Sequence, residues 1–395
     1  MNILIIGTTD TIGGAARVSW DIKSAMERLG HEISMFVADK KSDDPKVQII
    51  PRIGWRKLTG FLLGTERFID TNWILETPEF KKANLIHCHN LHGRFFNLET
   101  LQRMSLLKPV VWTLHDEWAI TPHCACTFEE TRLANGLYIC PSINTPPRTL
   151  WNNDKNLAQE KNLIYQKSKL HLVTPSLWLK NKVEKTVLKK QDIWHIPNGI
   201  DTAIFTKQNK KDARQKLNLP LDKKIILFLA DDAKSNTWKG WSYTEKIIEK
   251  FRAQKDILFV SVGNKQKYEN KDNVIFIGHL ADKKEIASYY NAADILLFTS
   301  IAENFPLVIL EAMSCGLPIV SFDVGGVKEA LIHQENGYIA KYKDVDDLEI
   351  GLKWFFSLSS EKKQQISLNS SQRIKDYFSS NLMIQRYLEL FKQII

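Results

Sequence analysis

Short apolar runs alternate with longer stretches of helical spacing along this chain of 395 residues. In the first half the runs fall at residues 3–6, 33–37, 85–88, 110–114, 170–173 and 193–196, and in the second at 225–229, 257–262, 274–277, 295–298 and 319–322. Several are continuous rather than alternating, the pattern of strands covered on both faces. Between the first two runs Val18, Ile22, Ala25, Met26 and Leu29 recur at helical spacing, and Gly30 follows as a helix stop. Strand, helix and strand in that order is the grammar of a parallel sheet with crossover helices. Two such series predict an α/β protein of two doubly wound domains, at residues 1–202 and 203–380. The polar, Lys-rich stretch 202–224 is the expected linker. Residues 381–395 read as an amphipathic helix packing back on the first domain, with Leu382, Tyr387, Leu388, Phe391 and Ile395 on one face.

Residues 115–155 break the pattern. They hold Pro122, Pro141, Pro146, Pro147 and three cysteines with few periodic cues. A loop of this length inside a compact domain is usually functional, and it reads as an insertion over a cleft.

Composition narrows the classes. Hydrophobic residues at 44% and charged residues at 25% are ordinary for a globular protein. No apolar run approaches the roughly 18–20 residues of a membrane span, and the opening MNILIIG lacks the basic region and long apolar core of a signal peptide. A net charge of +9, spread along the chain, favours anionic partners such as phosphates or an acidic membrane surface. No zinc-finger spacing and no RNA-binding aromatic signature appears, so nucleic acid is not an expected partner. Five cysteines without a signal peptide suggest free thiols in a reducing cytoplasm.

Two stretches carry candidate chemistry. The first is Gly7-Thr-Thr-Asp-Thr-Ile-Gly-Gly14, between an apolar run and a helix. Glycines there let backbone approach a ligand, and the helix N-terminus offers free N–H groups; a plain tight turn would use the same residues. The second is Glu303-Asn-Phe-Pro-Leu-Val-Ile-Leu-Glu311, in which seven residues separate two carboxylates. With Pro306 in the first helical turn, residues 307–313 become helix, which puts Glu303 in the preceding loop and Glu311 inside the helix. Carboxylates accept hydrogen bonds from vicinal hydroxyls of ribose or hexose rings, and N–H groups around Asn304, Phe305 and Leu307 could hold further polar groups. A solvated pair of acids favoured by the helix dipole is the plainer alternative.

The run from Ser300 to Glu329, together with Ile196-Pro-Asn-Gly-Ile-Asp201 and Glu335-Asn-Gly337, resembles glycosyltransferase family 4. The resemblance implies the GT-B fold, two Rossmann-like domains facing across a cleft, and retaining sugar transfer from a UDP- or GDP-sugar without a cofactor or metal ion. By position, Glu311 resembles the acid that holds the nucleotide ribose and Glu303 the acid on the donor sugar ring. Gly13 and Gly14 resemble the loop against the diphosphate, His115 the active-site histidine, and Lys239 the lysine that clamps the diphosphate. The family arginine a few residues before that lysine is missing, and Lys234 is its candidate substitute, although a lysine cannot make the bidentate contact. Backbone near residues 278–280 is where the base would be recognised.

His87, Asn90 and Asp116 are assigned to the acceptor side, with Asp116 placed to orient the His115 imidazole. His87 and His89 share a strand face but lack further metal ligands. His123, Cys124, Cys126 and Cys140 could supply four zinc ligands, yet a C-x-C step and a gap of thirteen residues match no standard zinc ribbon, so zinc, a disulfide and ordinary loop residues all stay open. Basic and apolar residues mix at 54–63, and Lys180, Lys182, Lys185, Lys189 and Lys190 cluster, as interfacial segments do. The expected activity is transfer of a sugar to a hydroxyl of a glycan or lipid-linked acceptor in bacterial surface polysaccharide synthesis, in the cytoplasm or at the inner face of its membrane. An epimerase or phosphorylase on the same fold and a non-catalytic glycan-binding subunit are the alternatives.

Overall fold

The computed structural model describes residues 1–52, 62, 64–229, 236–264, 268–271 and 273–395. Lys234, and all but Leu62 of the basic-apolar stretch 54–63, lie outside the described residues. The chain divides into two compact units, Met1–Pro197 with Met383–Ile395, and Asn198–Leu382.

The first unit is built on strands β1 (Asn2–Thr9), β2 (Glu32–Asp39), β3 (Val47–Ile49), β4 (Leu85–Cys88), β5 (Val110–Thr113), β8 (His171–Thr174) and β9 (Asp192–His195). The short hairpin β6 (Leu133–Ala134) and β7 (Leu137–Tyr138) stands apart. Sheet order is β3-β2-β1-β4-β5-β8-β9, with every pairing parallel. Every residue of β4 and β5 is buried, which is why these strands read as unbroken apolar runs. The helix Gly14–Arg28 turns Val18, Ile22, Ala25 and Met26 inward, and Gly30 ends it with a positive φ of 82°.

The second unit carries β10 (Lys224–Leu229), β11 (Ile257–Asn264), β12 (Tyr268–Lys271), β13 (Val274–Gly278), β14 (Ile295–Phe298), β15 (Ile319–Phe322) and β16 (Gly337–Ala340). The order is β12-β13-β11-β10-β14-β15-β16, parallel except for the antiparallel edge strand β12. Its core includes Phe251, Phe259, Tyr290 and Phe322, each at most 1% exposed; burying one such side chain contributes roughly 1.5–3 kcal/mol.

In both sheets the first strand lies inside the order. The chain winds to one side of it, then returns to the other. The strand order therefore reverses between β1 and β4, and between β10 and β14. At such a reversal the loops at the C-terminal strand ends part and leave room for a ligand.

Several expectations need correction. The stretch 202–224 is not a free linker. Phe205 within it is 1% exposed, residues Lys210–Lys216 are helical, and Arg214 is held by the Ala292 and Lys223 carbonyls and by Asp294. The units divide at Pro197/Asn198 instead. Within residues 115–155, Trp118, Ile120, Cys124 and Tyr138 are buried, while residues 131–135 and 150–152 are exposed. The last helix, Ser380–Ile394, buries Met383, Ile384, Tyr387, Leu390 and Phe391, whereas Ile395 is 56% exposed. Lys182 is no surface cation: its ammonium pairs with Glu117, bonds Thr127 Oγ1 at 2.6 Å and lies over the Tyr138 and Trp178 rings. Among the described residues, no helix is long and apolar enough to cross a membrane.

The last helix joins the first unit through a buried polar chain. Tyr387 Oη lies 2.9 Å from Thr113 Oγ1, which lies 2.9 Å from His87 Nε2. Tyr387→Phe should lower the stability of this unit by about 1 kcal/mol, and Tyr387→Ala by about 3–5 kcal/mol because it also leaves a cavity. Denaturant unfolding of the two variants gives both values, and equal losses would show that the hydroxyl, not the ring, dominates.

Candidate functional site

In the second unit the polar side chains gather where the strand order reverses. After β10 the chain makes a short turn at Thr237–Lys239, which the Asn236 side chain caps on Trp238 N; Gly240 then leads into the helix Trp241–Lys250. After β14 it passes through Thr299 to Glu303 and enters the helix Leu307–Ser314, with Pro306 as its N-cap. The two turns are fastened backbone to backbone. Ile301 N donates to Trp238 O at 2.8 Å, and Thr299 Oγ1 donates to Gly240 O at 3.0 Å. Gly240 adopts φ 69°, and a Cβ there would overlap the Thr299 carbonyl oxygen.

This arrangement brings Lys239 Nζ to 2.8 Å from Glu303 Oε1. The two side chains are 31% and 12% exposed, so the pair is accessible but largely shielded. The loop of Glu303 is held from two further sides. Asn198 Nδ2 donates to Phe305 O at 3.0 Å, and Gly326 N donates to Asn304 O at 2.7 Å. Gly325, with φ 54°, lies so close that a Cβ would overlap the Glu303 carbonyl oxygen. Glu311 sits inside the helix at 1% exposure and accepts from the Tyr290 hydroxyl at 2.8 Å. The two acids are therefore not a solvated pair: one is ion-paired and the other is buried.

In the first unit, Gly13 caps the helix Gly14–Arg28, and no atom outside the local chain would lie within 4 Å of a Cβ at Gly13 or Gly14. Beside this loop Thr8 Oγ1 donates to Asn90 O at 3.0 Å. The ends of β4 and β5 carry a histidine cluster. His89 Nδ1 lies 2.8 Å from His115 Nε2, and the His87 and His89 rings are 4.2 Å apart at their centroids. Burial lowers the His87 pKa to about 3 and the His115 pKa to about 4, and it takes His89 well below its usual value, helped by the adjacent rings. At neutral pH all three are uncharged.

Asp116 acts on the His115 ring through its charge, which opposes the larger effect of burial. Its carboxylate lies 2.7 Å from His92 Nε2, and its other oxygen accepts from Trp118 N. Burial opposes charge on both partners, but each stabilises the other: the His92 pKa is raised and the Asp116 pKa lowered. Close by, burial raises the Glu66 carboxyl to about 7 despite bonds from Arg94 N and Gly93 N. Lys161, bound to the Trp118 and Thr121 carbonyls, is lowered by burial to about 8.

The four proposed zinc ligands are only partly together. His123 and Cys140 meet Asp154, which the sequence did not single out, with one donor atom of each within 4.8 Å of the others. Cys126 instead accepts from Phe128 N and faces Glu117 and Lys182. His92, Glu66, Asn198 and Asp154 all escaped the sequence reading. Only His92 had a local signal, as the third histidine in His87-Cys-His-Asn-Leu-His92.

Gly325→Ala should push the Glu303 loop away and weaken the Lys239–Glu303 pair. The expected result is lower stability together with lost function, and an unchanged crystal structure of the variant would refute the contact. The neutral histidines make a second test. Below about pH 6.5 the unfolded chain protonates them, while in the folded chain His87 waits until about 3, His115 until about 4, and His89 stays neutral well below its usual value. The unfolded state then binds more protons, so stability should fall as pH drops from about 6.5 toward 4. Imidazole NMR signals should show His87, His89 and His115 neutral at pH 6; a ring titrating near 6.5 would contradict this.

Residues 12–204 match the family model described as Glycosyltransferase Family 4, and residues 209–373 match the model described as Glycosyl transferases group 1. The putative colanic acid biosynthesis glycosyl transferase WcaC of Escherichia coli strain K12 is 25% identical over 326 residues, 78% of this chain and 76% of that protein. The N-acetyl-alpha-D-glucosaminyl L-malate synthase of Bacillus anthracis is 24% identical over 408 residues, 99% of this chain and 97% of that one. Among solved structures, Anabaena HepE in complex with UDP and glucose matches with a TM-score of 0.69 at 17% identity, covering 99% of both chains, a likeness of fold. Two Rossmann-like sheets of this order and two adjoining family matches along the chain have one reading: it belongs to glycosyltransferase family 4, with the GT-B fold.

Proposed function

We propose that this glycosyltransferase moves a sugar, with retention, from a nucleoside diphosphate to a hydroxyl of a glycan or lipid-linked acceptor in surface polysaccharide synthesis. The carrying observation is the Lys239–Glu303 pair at the reversal between β10 and β14. A cation and an acid held side by side suit a ligand that is a diphosphate at one end and a polyol at the other. The donor would take Lys239 onto its diphosphate and free Glu303 to accept from sugar hydroxyls. The acceptor hydroxyl oxygen then bonds to the sugar's anomeric carbon as the bond from that carbon to the leaving diphosphate breaks, and the hydroxyl proton departs on the diphosphate. Positive charge grows on the ring and negative charge on the diphosphate, and Lys239 with the N–H groups near Asn304 and Leu307 meets the latter. Glu311, which accepts from the Tyr290 hydroxyl, is the proposed ribose contact.

In the first unit, the free N–H groups at Gly13 and Gly14 are proposed to face the diphosphate. His115, neutral and backed by His89, is proposed to hydrogen-bond the transferred sugar. His87 is sealed in the core behind His89, so its part is to hold the cluster; Asn90 and the His92–Asp116 pair are the proposed acceptor-side groups. The Anabaena protein of the same fold carries UDP and glucose, and the Escherichia coli relative is named for colanic acid synthesis; both support a nucleotide-sugar donor and a polysaccharide product. Exposed Lys185, Lys189 and Lys190 would favour an anionic membrane surface, which supports a reaction at the inner face of the cytoplasmic membrane.

A thermal-shift screen of UDP- and GDP-sugars should identify the donor by a raised melting temperature. Calorimetry with that nucleotide should then show Lys239→Ala binding at least tenfold more weakly, about 1.4 kcal/mol. Glu303→Gln should keep nucleotide affinity and lose turnover. Glu311→Gln, which preserves shape in a buried position, should weaken the nucleotide without unfolding the chain. A Lys239→Ala protein with unchanged affinity would move the diphosphate elsewhere.

A further inference from the structure

We propose that His123, Cys140 and Asp154 hold a zinc ion, with Cys124 as the fourth ligand, and that this ion ties the irregular segment 115–153 to the helix that follows it. A ring nitrogen of His123, the sulfur of Cys140 and a carboxylate oxygen of Asp154 already lie within 4.8 Å of one another. Zinc–donor distances of about 2.0–2.3 Å set donors roughly 3.5–4 Å apart around a tetrahedral ion, so closure needs movements of about an ångström. Cys124 is fully buried, its backbone N–H donates to Cys140 Sγ at 3.1 Å, and its thiol hydrogen-bonds the same sulfur. Among the described residues, His123, Cys140 and Asp154 are the His, Cys, Asp and Glu side chains that converge as a metal-holding group, and Cys124 adjoins them through Cys140.

Three features distinguish the cluster from a chance meeting of polar groups. First, it is buried. His123 is 2% exposed and Cys140 is 7% exposed. Second, the imidazole is half-satisfied: Nδ1 lies 2.9 Å from Asp154 Oδ1, while Nε2 is buried with no hydrogen-bond partner. A buried polar atom left so costs about 1–3 kcal/mol. Third, the donors are placed where a cross-link has most to hold. Between Asp116 and Asn153 the described regular structure is a short turn at Trp118–Ile120 and the hairpin of β6 and β7. Asp154 is the first residue of the helix Asp154–Gln166, which packs its Tyr165 and Lys161 against Trp118 and its neighbours. An ion at this point fastens residues 123–124 and 140 to that helix start.

The donor set selects the metal. Thiolate with imidazole and carboxylate suits zinc, and four protein ligands in a buried position make a closed, structural site. The ion needs thiolates and a neutral imidazole, so loading should be weaker at acid pH. The site belongs to the first unit and the Lys239–Glu303 pair to the second, and its test is independent of any donor or acceptor.

The test is metal content of the purified full chain, with zinc supplied, measured by mass spectrometry. About one zinc per chain is expected. Cys140→Ser should lose it, Asp154→Asn should bind zinc at least tenfold more weakly, and Cys126→Ser, outside the cluster, should keep it. Because a variant could misfold, the unaltered chain is also loaded with cobalt(II) in place of zinc, and a thiolate-to-cobalt charge-transfer band is expected. Absence of both zinc and the cobalt band would overturn the proposal. So would full zinc content in Cys140→Ser, or a Cys124–Cys140 disulfide in alkylated, metal-free peptide maps.

Discussion

The proposed donor chemistry rests on main chain touching main chain. The loop after β10 presses against the loop after β14 at Gly240, and the loop after β15 presses against it at Gly325. Neither contact leaves room for a side chain. The loops are further stitched by Ile301 N to Trp238 O and Gly326 N to Asn304 O. Lys239 and Glu303 are one residue from, or in direct contact with, these seams, so their 2.8 Å approach follows from backbone positions rather than from two flexible side chains finding each other. An exposed ion pair stabilises a protein by little on its own. Here the pair is positioned by the packing, and its worth lies in readiness for a ligand.

The first unit uses a different device at the equivalent edge of its sheet. Burial keeps three closely packed imidazoles uncharged at neutral pH, and a separate hydrogen-bonded pair, His92 with Asp116, lies beside them. Burial alone would neutralise both groups, and a carboxylate in contact reverses that for one of them. Two histidines that share a loop region are thus shifted in opposite directions. A neutral ring can both donate and accept a hydrogen bond.

Much of the fold was legible because continuous apolar runs mark strands covered on both faces. The runs at 85–88, 110–114 and 295–298 correspond to β4, β5 and β14 nearly residue for residue. Edge strands were not legible. β3 is three residues long, and Tyr268-Glu-Asn-Lys271 has no apolar signature, since an edge strand need not bury both faces. The candidate site was legible where chemistry and spacing coincide, as in Glu303, Pro306 and Glu311. It was illegible where partners come from afar. His123 meets Asp154 across 31 positions and His92 meets Asp116 across 24, and nothing local announces either. Asn198 illustrates the same limit: its amide holds the Phe305 carbonyl from 107 positions away.

The closing helix has a consequence for how the chain is made. Residues Met383–Ile395 belong to the first unit, yet ribosomal synthesis delivers them only after all of Asn198–Leu382. Until then Thr113 lacks its Tyr387 partner and the His87 ring lacks its cover of Tyr387 and Phe391. The nascent first unit is therefore completed only after every residue of the second has been made. Chaperone occupancy during translation should concentrate on that early half.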